Sequence, residues 1–254
     1  MENIISRELL TVMASLTGTL IGVATGYLFG KGLNKAKSGI LVAFAAGMMI
    51  GCSLVLIGEG VHRSSWSECV VAVSAGVVLM LVLDRICTEY LDESEIHFSG
   101  VSDKQTVRIV VMLVGLLVHS IGEGLSLGMS AADSSSTSLI VASSLAVHNV
   151  PETAALLVAF RAKGLSEPAA IGFAIVSNLP QSVVALPVMS FFSNSFEAIK
   201  YGMGVSAGCM LYAVVRDIYP EAVVLVGRPR TIVYAALASF LVILSDAYSH
   251  IHIR

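Results

Sequence analysis

At 254 residues the chain is long enough for one or two soluble domains, yet 56% of it is hydrophobic, only 13% is charged, and its mean hydropathy is +0.84. A soluble domain carries about 25% charged residues, so this composition excludes a water-soluble globule and calls for a chain that crosses a bilayer repeatedly. The net charge of -3 offers no basic surface to nucleic acid.

Eight apolar blocks follow one another, at about 9–29, 39–61, 67–84, 107–130, 137–160, 168–192, 196–215 and 231–249. Most approach the ~20 residues that cross a hydrocarbon core as a helix. The N-terminal Met1-Glu-Asn-Ile-Ile-Ser-Arg-Glu has no basic leader, and the run after it is longer than the apolar segment of a secretory signal, so the first block reads as a membrane helix. The third block is the weakest, because its strictly apolar part, Cys69 to Leu83, is short. Keeping it separates the basic residues sharply. The connections after spans 1, 3, 5 and 7 hold Lys31, Lys35, Lys37, Arg85, Lys104, Arg108, Arg161, Lys163, Arg216, Arg228 and Arg230, eleven of the fifteen Lys and Arg. Arg7, Arg63, Lys200 and Arg254 fall on the other side. The positive-inside bias then predicts that both termini are non-cytoplasmic and that residues 86–106 form a cytoplasmic loop. That loop carries Glu89, Asp92, Glu93, Glu95, His97 and Asp103. A single histidine among carboxylates makes a poor zinc site, so it reads as a solvated acidic connection.

Four cysteines, Cys52, Cys69, Cys87 and Cys209, show neither CxxC spacing nor a disulfide framework. Cys52 and Cys209 lie inside apolar runs, where cysteine behaves as a small hydrophobe. Both also belong to a repeated pattern: Gly47-Met-Met-Ile-Gly51-Cys52-Ser-Leu54 in the second block and Gly204-Val-Ser-Ala-Gly208-Cys209-Met-Leu211 in the seventh. These blocks run in opposite directions through the membrane. Matching segments of opposite direction suggest inverted repeats, spans 1–3 against spans 6–8, although GxxxG is also a common packing motif. A 3+2+3 arrangement of this kind leaves spans 4 and 5 between the repeats.

Those two spans carry the chemistry. His119-Ser-Ile-Gly-Glu123 and His148-Asn-Val-Pro-Glu152 each place a histidine and a glutamate four residues apart, on one face of a helix. Both pairs lie about midway through their spans, and the short connection at 131–136 makes the spans antiparallel neighbours, so the pairs meet at one depth. A carboxylate at the bilayer centre costs about 2.5–3.5 kcal/mol, so Glu123 and Glu152 together need compensation of roughly 5–7 kcal/mol. A divalent cation held by imidazole nitrogen and carboxylate oxygen supplies it, and zinc or iron(II) suits such a donor set. The competing readings are protonated groups acting as packing glue, a proton relay without metal, and a hydrolytic metal; no HExxH is present to support the last.

Neighbouring residues extend the constellation. Asn149 shares the face of Glu152 as an oxygen donor, and Ser120 is its counterpart in span 4. Pro151 lacks an N–H and frees the carbonyl of Val147 beside the ligands. In span 6, Asn178-Leu-Pro180-Gln181 again sets a proline between two amides, available for a second metal position or for interhelical hydrogen bonds. Glu59 and His62 near the outer end of span 2, with Asp246 and His250 near the outer end of span 8, are candidate entrance groups. Asp84, Asp217 and Glu221 fall at span ends, where water is expected to screen them.

His148-Asn-Val-Pro-Glu152 resembles the fifth-helix HNxPEG signature of the ZIP (Zrt/Irt-like) family of divalent-metal transporters, and His119-Ser-Ile-Gly-Glu-Gly124 resembles its fourth-helix signature. Ala43-Phe-Ala-Ala-Gly47 and the stretch Asp217-Ile-Tyr-Pro-Glu-Ala222 are similar to further patterns of that family. The resemblance covers nearly the whole chain. It implies a single all-α integral membrane domain over residues 1–254, with eight transmembrane helices and both termini outside the cytosol. It further implies a mid-membrane site with His119, Glu123, His148 and Glu152 as metal ligands and Asn149 as a further oxygen donor. The family's sixth-helix carboxylate position falls on Gln181; Ser120 stands where many members have Asn, and Thr153 where the fifth-helix motif has Gly. With fewer carboxylates, two tightly held metals are disfavoured.

The expected function is therefore movement of a divalent metal, zinc ahead of iron(II) and manganese(II), into the cytosol by alternating access. The metal is cargo and no cofactor or catalytic residue is expected. A membrane-embedded metal-dependent hydrolase and a proton-coupled carrier without metal are the alternatives. The expected partners are the metal ion, the lipid bilayer of the plasma membrane or an organelle, and a second copy of the chain as a homodimer.

Overall fold

A long apolar run in lipid can satisfy its peptide groups only by closing helical hydrogen bonds within itself, and that is how the chain folds. The structure, a computed structural model, describes the backbone of residues 2–30, 35–92, 101, 103–133, 135–192 and 195–252. It contains α1 (Glu2–Gly30), α2 (Lys35–Arg63), α3 (Trp66–Asp92), α4 (Asp103–Asp133), α5 (Ser135–Ala162), α6 (Glu167–Phe192), α7 (Phe196–Ala213), a π-helical segment (Val214–Ile218), α8 (Tyr219–Val226) and α9 (Arg228–His252). Helix α7, the π segment and α8 follow without interruption, so these elements make eight passes among the described residues, with α9 as the eighth.

Several expected boundaries move outward. The third helix continues past residue 84 to Asp92, so the connection is shorter than the expected 86–106. Arg85 and Glu89 are exposed in its last turns, and Arg85 Nε lies 3.3 Å from Glu89 Oε1 one turn on. Glu93, Glu95 and His97 lie outside the described residues, as do the side chains of Asp92, Asp103 and His250. The seventh span also runs on. Asp217 and Glu221 belong to its helical continuation rather than to a screened end, and Arg216 is helical too. Pro220 has no N–H for the carbonyl four residues back, and the register slips: the Tyr219 N–H donates to Val214 O, five residues back. Gly227, at φ +82, ends α8.

The distribution of side chains is that of a membrane protein. Large apolar residues such as Val71, Leu81, Val233 and Phe240 are exposed, whereas His119, Glu123, His148, Asn149, Glu152 and Gln181 are at most 2% exposed. Among the described residues, four helices are long and apolar enough to cross a membrane by length and composition alone: those within Ala36–Arg63, Trp66–Ile86, Glu167–Phe191 and Arg228–Tyr248.

Packing sorts the helices into two groups. In one, α1 lies along α5 and α4 along α6; in the other, α2 lies along α9 and α3 along α7. The groups meet mainly through α4–α7, α2–α5 and α3–α4. The repeated glycines sit at the closest approaches of the second group. Gly47 and Gly51 face Ala235 and Ser239 of α9, and Gly204 and Gly208 face Ala72 and Val73 of α3, with no room for a Cβ. In the first group Gly18 and Gly22 of α1 meet Ala146 and Val150 of α5, and Gly124 and Gly128 of α4 meet Gln181 and Ala185 of α6. Residue numbers rise together along each pair, so each pair is parallel, as an odd number of intervening passes requires.

Candidate metal centre

The i, i+4 spacing turns His119 and Glu123 of α4 and His148 and Glu152 of α5 toward one point. One donor atom from each residue lies within 4.8 Å of every other. His148 Nε2 is 2.8 Å from Glu123 Oε1 and 3.0 Å from Glu152 Oε2. His119 Nε2 is 3.1 Å from Glu123 Oε1 and 3.5 Å from Glu152 Oε1. Each carboxylate thus faces a histidine of the other helix as well as its own.

These contacts are close in distance but not in alignment. His148 and Glu152 form a hydrogen bond, whereas His119 Nε2 and both Glu123 oxygens have no hydrogen-bond partner among the described residues. Donors gathered around a point, most of them not aimed at one another, could hold a cation between them. With metal–ligand bonds of about 2.0–2.1 Å, donors at tetrahedral corners stand roughly 3.3 Å apart, and the four observed separations bracket that value.

Pro151 lies inside α5 without ending it. The polar residues around it form a second layer. Asn149 Nδ2 donates to Gln181 Oε1 at 2.8 Å, and Ser15 Oγ of α1 donates to the same oxygen at 2.7 Å. Asn149 Oδ1 has no hydrogen-bond partner among the described residues, so that oxygen remains available as a donor to a cation. Ser120 instead donates its hydroxyl to the carbonyl of Ser177. Asn178 Nδ2 binds Ala174 O at 3.0 Å and Thr153 Oγ1 at 3.3 Å. Ser120, Asn178 and Gln181 therefore join helices α1, α4, α5 and α6.

The expected entrance groups behave unequally. Glu59 lies 3.6 Å from Arg63 Nε, both partly buried, and His62 is exposed. Continuing the register of Gly47 on Ala235 and Gly51 on Ser239 brings Glu59 and His62 level with positions 246 and 250 of α9. Asp246 is half-buried there.

Three groups escaped the sequence reading. Cys52, read as a small hydrophobe, has its Sγ 3.8 Å from His148 Nδ1. Ser15 sits in a span with no other signal, and only the approach of α1 to α6 gives its hydroxyl a partner, Gln181. Asp217 lines a cleft with Glu152, Glu221, Val42 and Met112. The residue that could have announced it is Pro220, which shifts the helix register. At the end of the cleft Lys163 Nζ pairs with Glu221 at 2.8 Å. Nearby Tyr212 Oη donates to Asp84 at 2.8 Å, and Arg216 Nε lies 3.2 Å from the same carboxylate. None of these charges is merely screened by water.

A bundle with apolar flanks and an internal cluster of imidazole and carboxylate defines a polytopic membrane protein with a buried cluster that could hold a cation. Residues 92–244 match the family model described as ZIP zinc transporter, and the chain belongs to the ZIP family, whose members are transporters rather than enzymes. It is 30% identical over 86% of its length to a putative zinc transporter of Arabidopsis thaliana, covering 35% of that protein. It is 28% identical to zinc transporter ZIP9 of Micropogonias undulatus, over 66% of this chain and 57% of that one. With zinc transporter ZupT of Clostridium perfringens it shares 25% identity over 87% of this chain and 88% of the other. The chain thus spans about a third of the first of these relatives and just over half of the second.

Proposed function

We propose that residues 1–254 form a single transport domain that carries a divalent metal ion, zinc first, across its membrane into the cytosol by alternating access. The observation that carries this reading is the convergence of His119, Glu123, His148 and Glu152 on one buried point. In this reading the two imidazoles supply nitrogen, the two carboxylates supply charge, and Asn149 adds an oxygen. The relatives' names as zinc transporters favour zinc as cargo. The second metal position is weak, because Ser120 donates to Ser177 and Gln181 Oε1 already accepts from Ser15 and Asn149.

Two features support alternating access. Exchanging span 1 with 6, 2 with 7, 3 with 8 and 4 with 5 carries the α1–α5 contact onto α4–α6 and the α2–α9 contact onto α3–α7. That is the pairing an inverted repeat requires, and transporters of that kind rock one bundle against another around a central site. The cleft from Glu152 to Asp217 and Glu221 leads toward the basic connections, the cytosolic side by the positive-inside bias. Both termini are then outside the cytosol, in the plasma membrane or an organelle membrane, and a second copy of the chain completes a homodimer.

The test is uptake of labelled zinc into proteoliposomes. His148→Ala and Glu152→Ala should reduce uptake to the level of empty vesicles, while both proteins still insert and purify. Uptake at the wild-type rate in both variants removes the site from the pathway.

A further inference from the structure

The two histidines of the centre are supported differently. His119 Nδ1 has no hydrogen-bond partner among the described residues, whereas His148 Nδ1 faces the Sγ of Cys52, 3.8 Å away on α2. Both groups are buried: His148 is 0% and Cys52 8% exposed. Cys52 stands on the nitrogen opposite the cluster, because His148 Nε2 is the atom that meets Glu123 and Glu152. It is therefore placed behind the ring and outside the donor set.

We propose that Cys52 is a positioning residue for metal binding, holding the His148 ring through Nδ1 so that Nε2 presents its lone pair to the cation. A metal-ligating histidine usually bonds its second ring nitrogen to a neighbour, which selects its tautomer and orientation; loss of that neighbour costs about 10–100-fold in metal affinity. A thiol suits this place because it acts in both directions, as a weak donor and a weak acceptor. While Nε2–H bonds Glu152, Nδ1 is the acceptor and the Cys52 S–H donates to it. When Nε2 binds metal, the ring proton resides on Nδ1 and the Nδ1–H donates to Sγ. Helix α2 belongs to the other packing group, so this contact also ties the orientation of a ligand on α5 to the seating of the two groups on one another. Cys209, the repeat counterpart, does something else. Its thiol donates to Gly76 O at 3.6 Å, within a single group.

The inference rests on the His/Glu centre proposed above, and one set of purified proteins separates the two. Zinc affinity is measured by isothermal titration for wild type, Cys52→Ser, Cys52→Val, Cys52→Ala, Cys209→Ala and His148→Ala, with thermal unfolding in detergent as the control of folding. The expected result is a loss of about tenfold or more in zinc affinity for Cys52→Ala and Cys52→Val. Cys52→Ser, which keeps a donor and acceptor, should stay within about threefold of wild type, as should Cys209→Ala. Cobalt(II) supplies a spectroscopic reading: wild type should lack a thiolate-to-cobalt charge-transfer band, and Cys52→Val should alter the visible ligand-field bands. Wild-type affinity in a folded Cys52→Val or Cys52→Ala protein overturns the inference, as does a Cys52→Ser protein no better than Cys52→Val. A thiolate charge-transfer band overturns it too, because Cys52 would then be a ligand. Wild-type zinc affinity in His148→Ala would instead refute the centre itself.

Discussion

The two packing groups put their polar side chains to opposite uses. In α1, α4, α5 and α6 the polar residues are central and almost wholly buried, and several of their atoms lack a hydrogen-bond partner among the described residues. In α2, α3, α7 and α9 the centre is sealed by Ala43, Ala46, Met49, Ala207, Met210 and Ala238. The charges of that group gather toward helix ends as paired groups: Lys200 with Glu68 and Glu197, and Arg216 with Asp84. A buried polar group without a partner is costly, so the first group sacrifices stability to present donors. The second is built like a rigid support.

The comparison predicts where substitutions will be felt. The largest effect belongs to Glu123→Gln, since Glu123 Oε1 faces both histidines. Loss of the charged donor should lower zinc affinity about a hundredfold, which is about 2.8 kcal/mol of binding free energy. Titration calorimetry measures it, and an unchanged affinity would mean that the buried polar centre of the first group is packing only.

Next comes a matched pair, Gly124→Ala and Gly76→Ala. Each new Cβ collides with backbone, that of Gln181 in the first case and Val205 in the second, so each should cost roughly 1–3 kcal/mol of stability. Zinc affinity should fall severalfold for Gly124→Ala alone, because only there does the displaced backbone carry a residue bonded to Asn149. Equal losses of affinity in both variants would dissolve the distinction between the groups.

Ser15→Ala is smaller. It removes one of the two donors to Gln181 Oε1 and should cost about 1 kcal/mol, seen as a lower unfolding temperature with a modest loss of zinc uptake. The smallest effect is expected at Lys200→Met. That variant loses the bonds to Glu68 and Glu197 at the start of α7, and should lower the unfolding temperature slightly without changing zinc affinity. A change in affinity there would show that the support takes part in binding.

Much of the centre was legible in the order of residues, and the reason is periodicity. A histidine and a glutamate four apart share a face in any α-helix, and a short connection brings two such helices to one depth, so His119, Glu123, His148 and Glu152 could be grouped before any coordinates. The entrance groups Glu59 and His62 were legible only as a level near a helix end, although the four-residue spacing of Glu59 and Arg63 already allowed the ion pair between them. Span ends were also poorly legible: hydropathy stops at the edge of lipid, whereas the helices of Arg85–Asp92 and Asp217–Val226 continue beyond it.

By itself, then, the sequence determined a membrane-embedded helical protein with eight passes, two His/Glu faces at matching depth, and membership of the ZIP family. Helical period, hydrophobic length and basic residues are local properties that no partner helix can alter. Only the tertiary structure decided which helices stand together, and with them the partners of Cys52, Ser15 and Asp217. Those contacts depend on how each helix is rotated about its axis and how far it slides along its neighbour. Close approach of glycine to backbone sets both, and a glycine's spacing along the chain does not say which helix it will meet.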